Sequence, residues 1–299
     1  MTMEAPEEFE SHRPRLFALA YRMLGSASEA EDVVQDTYLR WSTVDPAGIR
    51  TPAAWLTKVM TNLCINHLTS ARARRELYVG PWLPEPVLTR TAAADRLGPL
   101  ETAEQRESVS LALLTLMERL TPAERAVFVL REAFGHSHRE IAEAVGIEEV
   151  HSRQLHRRAR ERLQSPRRHF DVDDGQRREI VERFFAAALD GDVAGLEQLL
   201  AEDVVAWADG GGQVSAARRP VVGREKVLRY LLGVGVGVRP GGVRIRAEFA
   251  EVNGEWAAVL FAGPALFAVV VPEIRDGRVG GVRTVVSPGK LAFAARQLA

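Results

Sequence analysis

The sequence predicts a multidomain chain: two all-α domains, the second with a helix-turn-helix, followed by an α+β half-barrel. Three observations predict it. The 299 residues exceed the roughly 100–200 of a usual domain. Hydrophobic periodicity is helical up to about residue 170, then gives way to short alternating or β-branched runs bounded by glycines. Between the helical parts, the stretch from Tyr78 to Pro99 contains Pro81, Pro84, Pro86 and Pro99. It cannot run as one helix, because each proline lacks a donor and crowds the preceding turn. The expected division is a helical domain at 1–77, a proline-rich linker at 78–104, a second helical domain at 105–168 and an α+β domain at 169–299.

The charge balance is 39 basic against 40 acidic side chains, a net −1. That mean argues against a chain that coats nucleic acid indiscriminately. It conceals one segment: over 151–168, Arg153, Arg157, Arg158, Arg160, Arg162, Arg167 and Arg168 face only Glu161, a local excess of +6. A single cysteine, Cys64, excludes an internal disulfide framework and any cysteine-rich zinc module. The opening MTMEAPEEFE has no basic segment followed by an apolar one, so no signal peptide is expected and the chain is placed in the cytoplasm. Its longest nearly apolar run, Ala257 to Val271, falls short of the roughly 20 residues that span a bilayer, and Gly263-Pro264 breaks it.

Helices are expected at 9–24, 28–42, 52–76, 102–118, 122–134, 138–145 and 149–164. Ser28-x-x-Glu31, Thr121-Pro122-x-Glu124 and Ser137-x-x-Glu140 each have the form of a capping box. In the second helix, Ala30, Val33, Val34, Tyr38 and Leu39 supply apolar surface, while Glu31, Asp32, Gln35 and Asp36 form an acidic face that suits water or a partner protein. The third helix carries Trp55, Leu56, Val59 and Leu63 toward a core and ends in Arg72, Arg74 and Arg75. Its Asn62, Asn66 and His67 can hydrogen-bond to an opened strand whose backbone the arginines hold.

Residues 120–163 have the order of three packed helices. Val127, Phe128 and Leu130 give an apolar face to the first, Ile141, Ala142 and Val145 to the second, and Val150, Leu155, Ala159 and Leu163 to the last; Gly146 permits the turn. The last helix is then expected to lie in a major groove with Arg153, His156, Arg157 and Arg160 turned toward phosphates and base edges. His136, His138, His151 and His156 lack the partners of a familiar metal spacing, and no metal or other cofactor is expected.

EAEDVVQDTYLRW, then PAAWLTKVMTNLCINHL, then LTPAERAVFVLREAFG followed by the helix-turn-helix resembles the extracytoplasmic-function sigma factors of bacteria. The resemblance implies two sigma-factor domains that recruit RNA polymerase core to promoter DNA. It puts Glu31, Asp32, Gln35 and Asp36 against the β′ clamp of the polymerase. Asn62, Asn66, His67, Arg72, Arg74 and Arg75 fall where the −10 element is recognised and melted. Residues 122–164 fall where the −35 element is read. One departure is Glu148, where a Ser or Thr often caps the recognition helix.

In the last part, Ile180, Val181, Phe184, Phe185 and Leu189 line a helix, Asp190-Gly191-Asp192 makes a turn, and a short helix follows. Strands are expected at Val204–Trp207, Val243–Phe249, Trp256–Phe261, Leu266–Val271 and Val279–Val285. This half resembles the SnoaL-like domain of the nuclear-transport-factor-two (NTF2-like) superfamily, which implies a conical half-barrel. Such a concave fold can hold a small-molecule ligand. Asp203, Trp207, Asp209, Arg224 and Glu255 are candidates to line a pocket, although no spacing shows that they converge.

Three segments narrow the resemblance to sigma factors with a fused SnoaL-like domain: Trp82-Leu83-Pro84-Glu85-Pro86, Asp209-Gly210-Gly211-Gly212-Gln213-Val214, and Ser287-Pro288-Gly289-Lys290-Leu291. Gln213, Ser287 and Gly289 depart from that group's usual residues. The resemblance implies intramolecular regulatory contacts through these segments in place of a conventional anti-sigma partner, and no enzymatic activity of the chain itself. Two other readings stay open on the residues alone. One is a DNA-binding regulator that does not join polymerase; the other gives the C-terminal domain a ligand-sensing, isomerase or cyclase role.

Overall fold

The computed structural model describes residues 5–45, 48–76, 78–89, 97, 103–163, 173–233 and 245–299. The chain forms two compact units. The first comprises Met1–Leu77 with Thr91–Ser165, and the second Tyr78–Arg90 with Pro166–Ala299.

In the first unit, α1 (Ala5–Leu24), α2 (Ala27–Trp41) and α3 (Pro52–Glu76) pack on one another. Tyr21, Met23, Leu24, Leu56, Met60 and Cys64 are all fully buried between them. Trp41 is buried with its ring 5.6 Å from that of Trp55, which is half-buried. The cap of α2 is Ser26, not Ser28: Gly25 closes α1 at φ 68° and leaves Ser26 extended, so its hydroxyl accepts from the Glu29 amide at 3.1 Å. The helix expected over 102–118 is two, α4 (Ala103–Glu107) and α5 (Leu111–Met117). The break follows from Ser110, whose hydroxyl accepts from Leu113 N and caps the second piece. Arg22 of α1 is buried and bonds Ala18 O at 3.1 Å and Ser108 Oγ at 3.0 Å, which ties α1 to this break. Burial lowers its guanidinium pKa to about 10.

The helix-turn-helix is α6 (Pro122–Glu132), α7 (His138–Val145) and α8 (Glu149–Arg162). Both expected capping boxes form, Thr121 with Glu124 and Ser137 with Glu140. Gly146 ends α7 in the left-handed region at φ 79°. Val127, Leu130, Ile141, Ala142, Leu155 and Ala159 are buried between the three helices. Val150, expected in that core, is 64% exposed. It lies in the first turn of α8, on the side away from the buried Ser152, Leu155 and Ala159.

The second unit is built on one six-stranded sheet of order β2-β1-β6-β5-β4-β3. Its strands are β1 (Leu200–Asp209), β2 (Val221–Val222), β3 (Ile245–Val252), β4 (Glu255–Ala262), β5 (Ala265–Arg275) and β6 (Arg278–Val285). Every pairing is antiparallel except β1 with β6. The two-residue period of the strands sorts their side chains between faces. Ala206, Ala258, Leu260, Val270 and Val282 point to one face and pack with Ile180, Phe184 and Phe185 of α9 (Asp174–Asp190), Leu196 of α10 (Val193–Leu199) and Val227 of α11 (Arg224–Gly233). As expected, Gly191 ends α9 and Asp192 caps α10.

The opposite face carries a second apolar patch beside the Arg283–Glu273 ion pair. Ala257, Val259, Val269, Val271 and Val285 are each no more than 1% exposed, yet lie outside that cluster. Their cover comes from α12 (Pro288–Leu298), whose Leu291 and Phe293 are buried, and from residues 83–88, all buried. Neither α11 nor α12 was anticipated from periodicity. Among the described residues no helix is long and apolar enough to cross a membrane.

Phe184 is 1% exposed, at the centre of the α9 contact with the sheet. Phe184→Ala is expected to destabilise the second unit by about 3–5 kcal/mol, measured by urea denaturation. Cys64 is buried and burial pushes its thiol pKa upward, so a thiol reagent should label it only after unfolding; fast labelling of the native protein would contradict this packing.

Candidate nucleic-acid interface and the docked linker

The exposed side of α8 carries Arg153, Gln154, Arg157, Arg158 and Arg160 beside Val150. Two ion pairs run along it, Arg153 with Glu149 and Arg157 with Glu161, the second at 3.7 Å. Arg162 turns back instead, to the buried Glu124 at 2.6 Å. His156, expected to face outward, does not: its side chain is 14% exposed, 2.6 Å from Glu132, with its ring near those of Phe128 and His138. The reason is its position one residue beyond the buried Leu155, on the flank that leans on α6. His138 lies 3.0 Å from Ser152 Oγ, and burial and the neighbouring His156 lower its pKa. Arg167 and Arg168, part of the +6 segment, lie outside the described residues.

On α2, Asp32, Gln35 and Asp36 are exposed and Glu31 is half-buried. Leu39, one turn further, is 54% exposed. On α3, Asn66 is exposed, while Asn62 donates to Lys58 O at 2.8 Å and to Ala144 O of α7 at 3.1 Å. His67 stands 3.1 Å from Glu29. The side chains of Arg72, Arg74 and Arg75 lie outside the described residues.

The second unit brings together the three segments picked out at its sequence level, around one carboxylate. Asp209, at the end of β1, is fully buried. Its Oδ1 accepts from the Tyr78 hydroxyl at 2.5 Å and the Gly211 amide at 3.0 Å. Its Oδ2 accepts from the Leu83 amide and from Lys290 Nζ, both at 2.7 Å. These four donors fill the acceptor sites that a carboxylate offers. Lys290 also donates to Leu83 O at 2.5 Å and stands over the rings of Trp82 at 4.3 Å and Tyr78 at 4.7 Å. Burial, then the hydrogen bond to Asp209, raises the Tyr78 pKa, which keeps it a donor.

The glycines have a steric role. A Cβ on Gly210 would come within 2.3 Å of Val214 O, and one on Gly211, at φ 61°, within 2.7 Å of Ser287 Oγ. Val214 N closes the turn onto Gly210 O at 3.1 Å. Of the departures, Gln213 is exposed and a Cβ on Gly289 would meet open space; only Ser287 sits beside Tyr78. Leu291 is buried and Pro288 starts α12.

Beyond Leu83 the segment pairs like a short edge strand. Asn253 N donates to Val87 O, Thr89 N donates to Glu251 O, and Val87 N donates to Asn253 Oδ1. The Gln297 carboxamide accepts from Leu88 N and donates to Leu88 O. Pro84, Glu85 and Pro86 lie buried between these anchor points. Tyr78 was missed at the sequence level, because nothing in its local pattern distinguishes it from a linker aromatic.

The five pocket candidates do not converge. Asp209 is committed to the linker, Asp203 pairs with Arg275 at 2.8 Å, and Trp207 lies under Arg283 at 4.6 Å. Arg224 stands 3.8 Å from Glu202, and Glu255 begins β4 opposite Val252.

Comparison with known proteins matches residues 9–74 to Sigma-70 region 2, residues 110–163 to Sigma-70, region 4 and residues 181–282 to the SnoaL-like domain. The chain is 37% identical over 291 residues to the ECF RNA polymerase sigma factor SigJ of Mycobacterium tuberculosis, covering 95% of this chain and 92% of that protein. It is 31% identical over 287 residues to the probable ECF RNA polymerase sigma factor SigI of the same species, covering 95% and 93%. The crystal structure of the M. tuberculosis extracytoplasmic function sigma factor SigJ superposes with a TM-score of 0.75 at 34% identity, over 96% of this chain and 98% of that one. The chain therefore belongs to the extracytoplasmic-function sigma factors with a fused regulatory SnoaL-like domain.

Proposed function

We propose that the chain works in the cytoplasm as an alternative sigma factor whose own C-terminal domain, with no conventional anti-sigma partner, controls promoter-specific initiation. Region 2 meets the β′ clamp of core polymerase through Glu31, Asp32, Gln35 and Asp36. The exposed acids, with Leu39 one turn beyond them, form the mixed polar and apolar patch that suits a protein partner. Asn62, Asn66, His67, Arg72, Arg74 and Arg75 engage the −10 element, and for Asn62 this requires release from Ala144 O. Arg153, Arg157 and Arg160 engage the −35 element. His156 supports α8 from behind.

The observation that carries the regulatory reading is the buried Asp209 junction. The segment 78–90 belongs to the second unit, although the chain on both sides of it belongs to the first. The tether between regions 2 and 4 is thus held by Trp82–Pro86, Asp209–Val214, Pro288, Lys290 and Leu291. Holding the tether limits how far the two promoter-reading domains can separate, and the covalent link makes the restraint effective at any protein concentration.

Asp209→Asn keeps the side-chain shape while removing the charge that Lys290 neutralises. It should speed amide exchange over 83–89 and raise promoter-dependent transcription by reconstituted polymerase about fivefold or more, with core binding retained. Unchanged transcription despite a loosened segment would refute the restraint. Asp209→Ala, which strands Lys290, should destabilise the second unit by about 3–5 kcal/mol in a thermal melt, and Asp209→Asn with Lys290→Met should lose less.

A further inference from the structure

Helical geometry sorts the exposed side of α8 into a pole and two flanks. The buried Ser152, Leu155 and Ala159 mark the side packed on α6 and α7. At 100° per residue, Val150 and Arg157 fall within about 15° of the pole opposite the mean of those three, Glu161 within about 30° and Gln154 within about 45°. Arg153 and Arg160 lie on one flank, roughly 55–75° from the pole, with Arg158 and His151 on the other, roughly 85–105° from it. The pole thus carries an aliphatic group, an amide and a guanidinium over its first turns, with cations on both sides.

The pole of a recognition helix meets base edges, chiefly with its N-terminal residues, and its flanks meet the two phosphate backbones. In this helix the first pole residue is Val150, 64% exposed. The C5-methyl of thymine is the apolar feature of the major groove, Gln pairs bidentately with adenine, and Arg with guanine. Glu161, at the far end of the pole, has the sign of a phosphate and pairs with Arg157 at 3.7 Å. It disfavours close approach there and favours entry by the N-terminal end. His156 and Arg162 are turned to Glu132 and Glu124 and take no part.

We propose that Val150 reads a thymine methyl, Gln154 an adenine and Arg157 a guanine in the upstream promoter element, while Arg153, Arg158 and Arg160 hold phosphates. The proposal rests on the reading of region 4 as the −35-binding domain. Val150 and Gln154 are then specificity determinants that the arginine-rich pattern hides.

The test uses holoenzyme reconstituted from the full-length chain and core polymerase, on promoter duplexes it selects from a random library. Each thymine of the upstream element is replaced in turn by deoxyuridine, which removes only the methyl. At one position the wild type should bind about fourfold more weakly, and Val150→Ala should be indifferent to the replacement. Gln154→Ala should relax preference at a neighbouring adenine about tenfold. Arg158→Ala and Arg160→Ala should weaken binding to all sequences alike and reduce the salt slope by about one each. A wild type indifferent to every methyl, or a Val150→Ala variant as sensitive as wild type, overturns the proposal while leaving dependence on the upstream element intact. Equal binding to duplexes with that element scrambled instead overturns the −35 reading and this proposal with it.

Discussion

A buried carboxylate with all its acceptor sites filled organises the second unit. Asp209 is fully buried, and an unpaired charge at such a place costs several kcal/mol. It is held because two side chains and two backbone amides, from three distant parts of the chain, reach it together. The constraint works in both directions. The carboxylate fixes the start of the linker, the glycine turn and the start of α12, and each of these supplies a donor to it. The Asp209 carbonyl extends the arrangement by accepting from Val286 and Ser287 N–H groups. The β6-to-α12 connection is therefore held by the same residue.

The apolar outer face of the sheet gives this junction its wider consequence. A sheet with two apolar faces must be covered on both. Here α9, α10 and α11 cover one, while α12 and the proline-rich segment complete the other. The prolines suit the task, since a segment that cannot be helical is already extended. At Val87 to Thr89 it pairs with the end of β3, with Asn253 just beyond it, and with Gln297. A part of the chain that would otherwise serve only as a connector becomes a part of the core, and the connection between two helical domains passes through a third.

Much of the helical half could be read directly from the sequence, because its signals are local. Capping boxes at Thr121 and Ser137 and the glycine after α7 depend on residues within four positions of one another, and all formed. The failures have local causes too. Ser26 displaced Ser28 because the preceding glycine set the chain direction, and Ser110 divided an expected helix by capping its second part. Val150 and His156 were misplaced for a different reason. On an α-helix a shift of one residue moves a side chain by about 100°, and only the packing of α8 on α6 and α7 decides which side is covered.

The sequence by itself determined the order of the domains, the helix-turn-helix, the arginine-rich last helix and the three segments that meet at Asp209. Those are composition, periodicity and motif, which survive without coordinates. Only the tertiary structure decided that Tyr78 and Lys290 meet the same carboxylate, that α12 and residues 83–88 close the outer face, and that Val150 and Gln154 share the exposed side of α8 with Arg157. Tyr78 and Asp209 are 131 positions apart. Such pairings depend on how a sheet folds back on the chain, and neither propensity nor spacing carries that information.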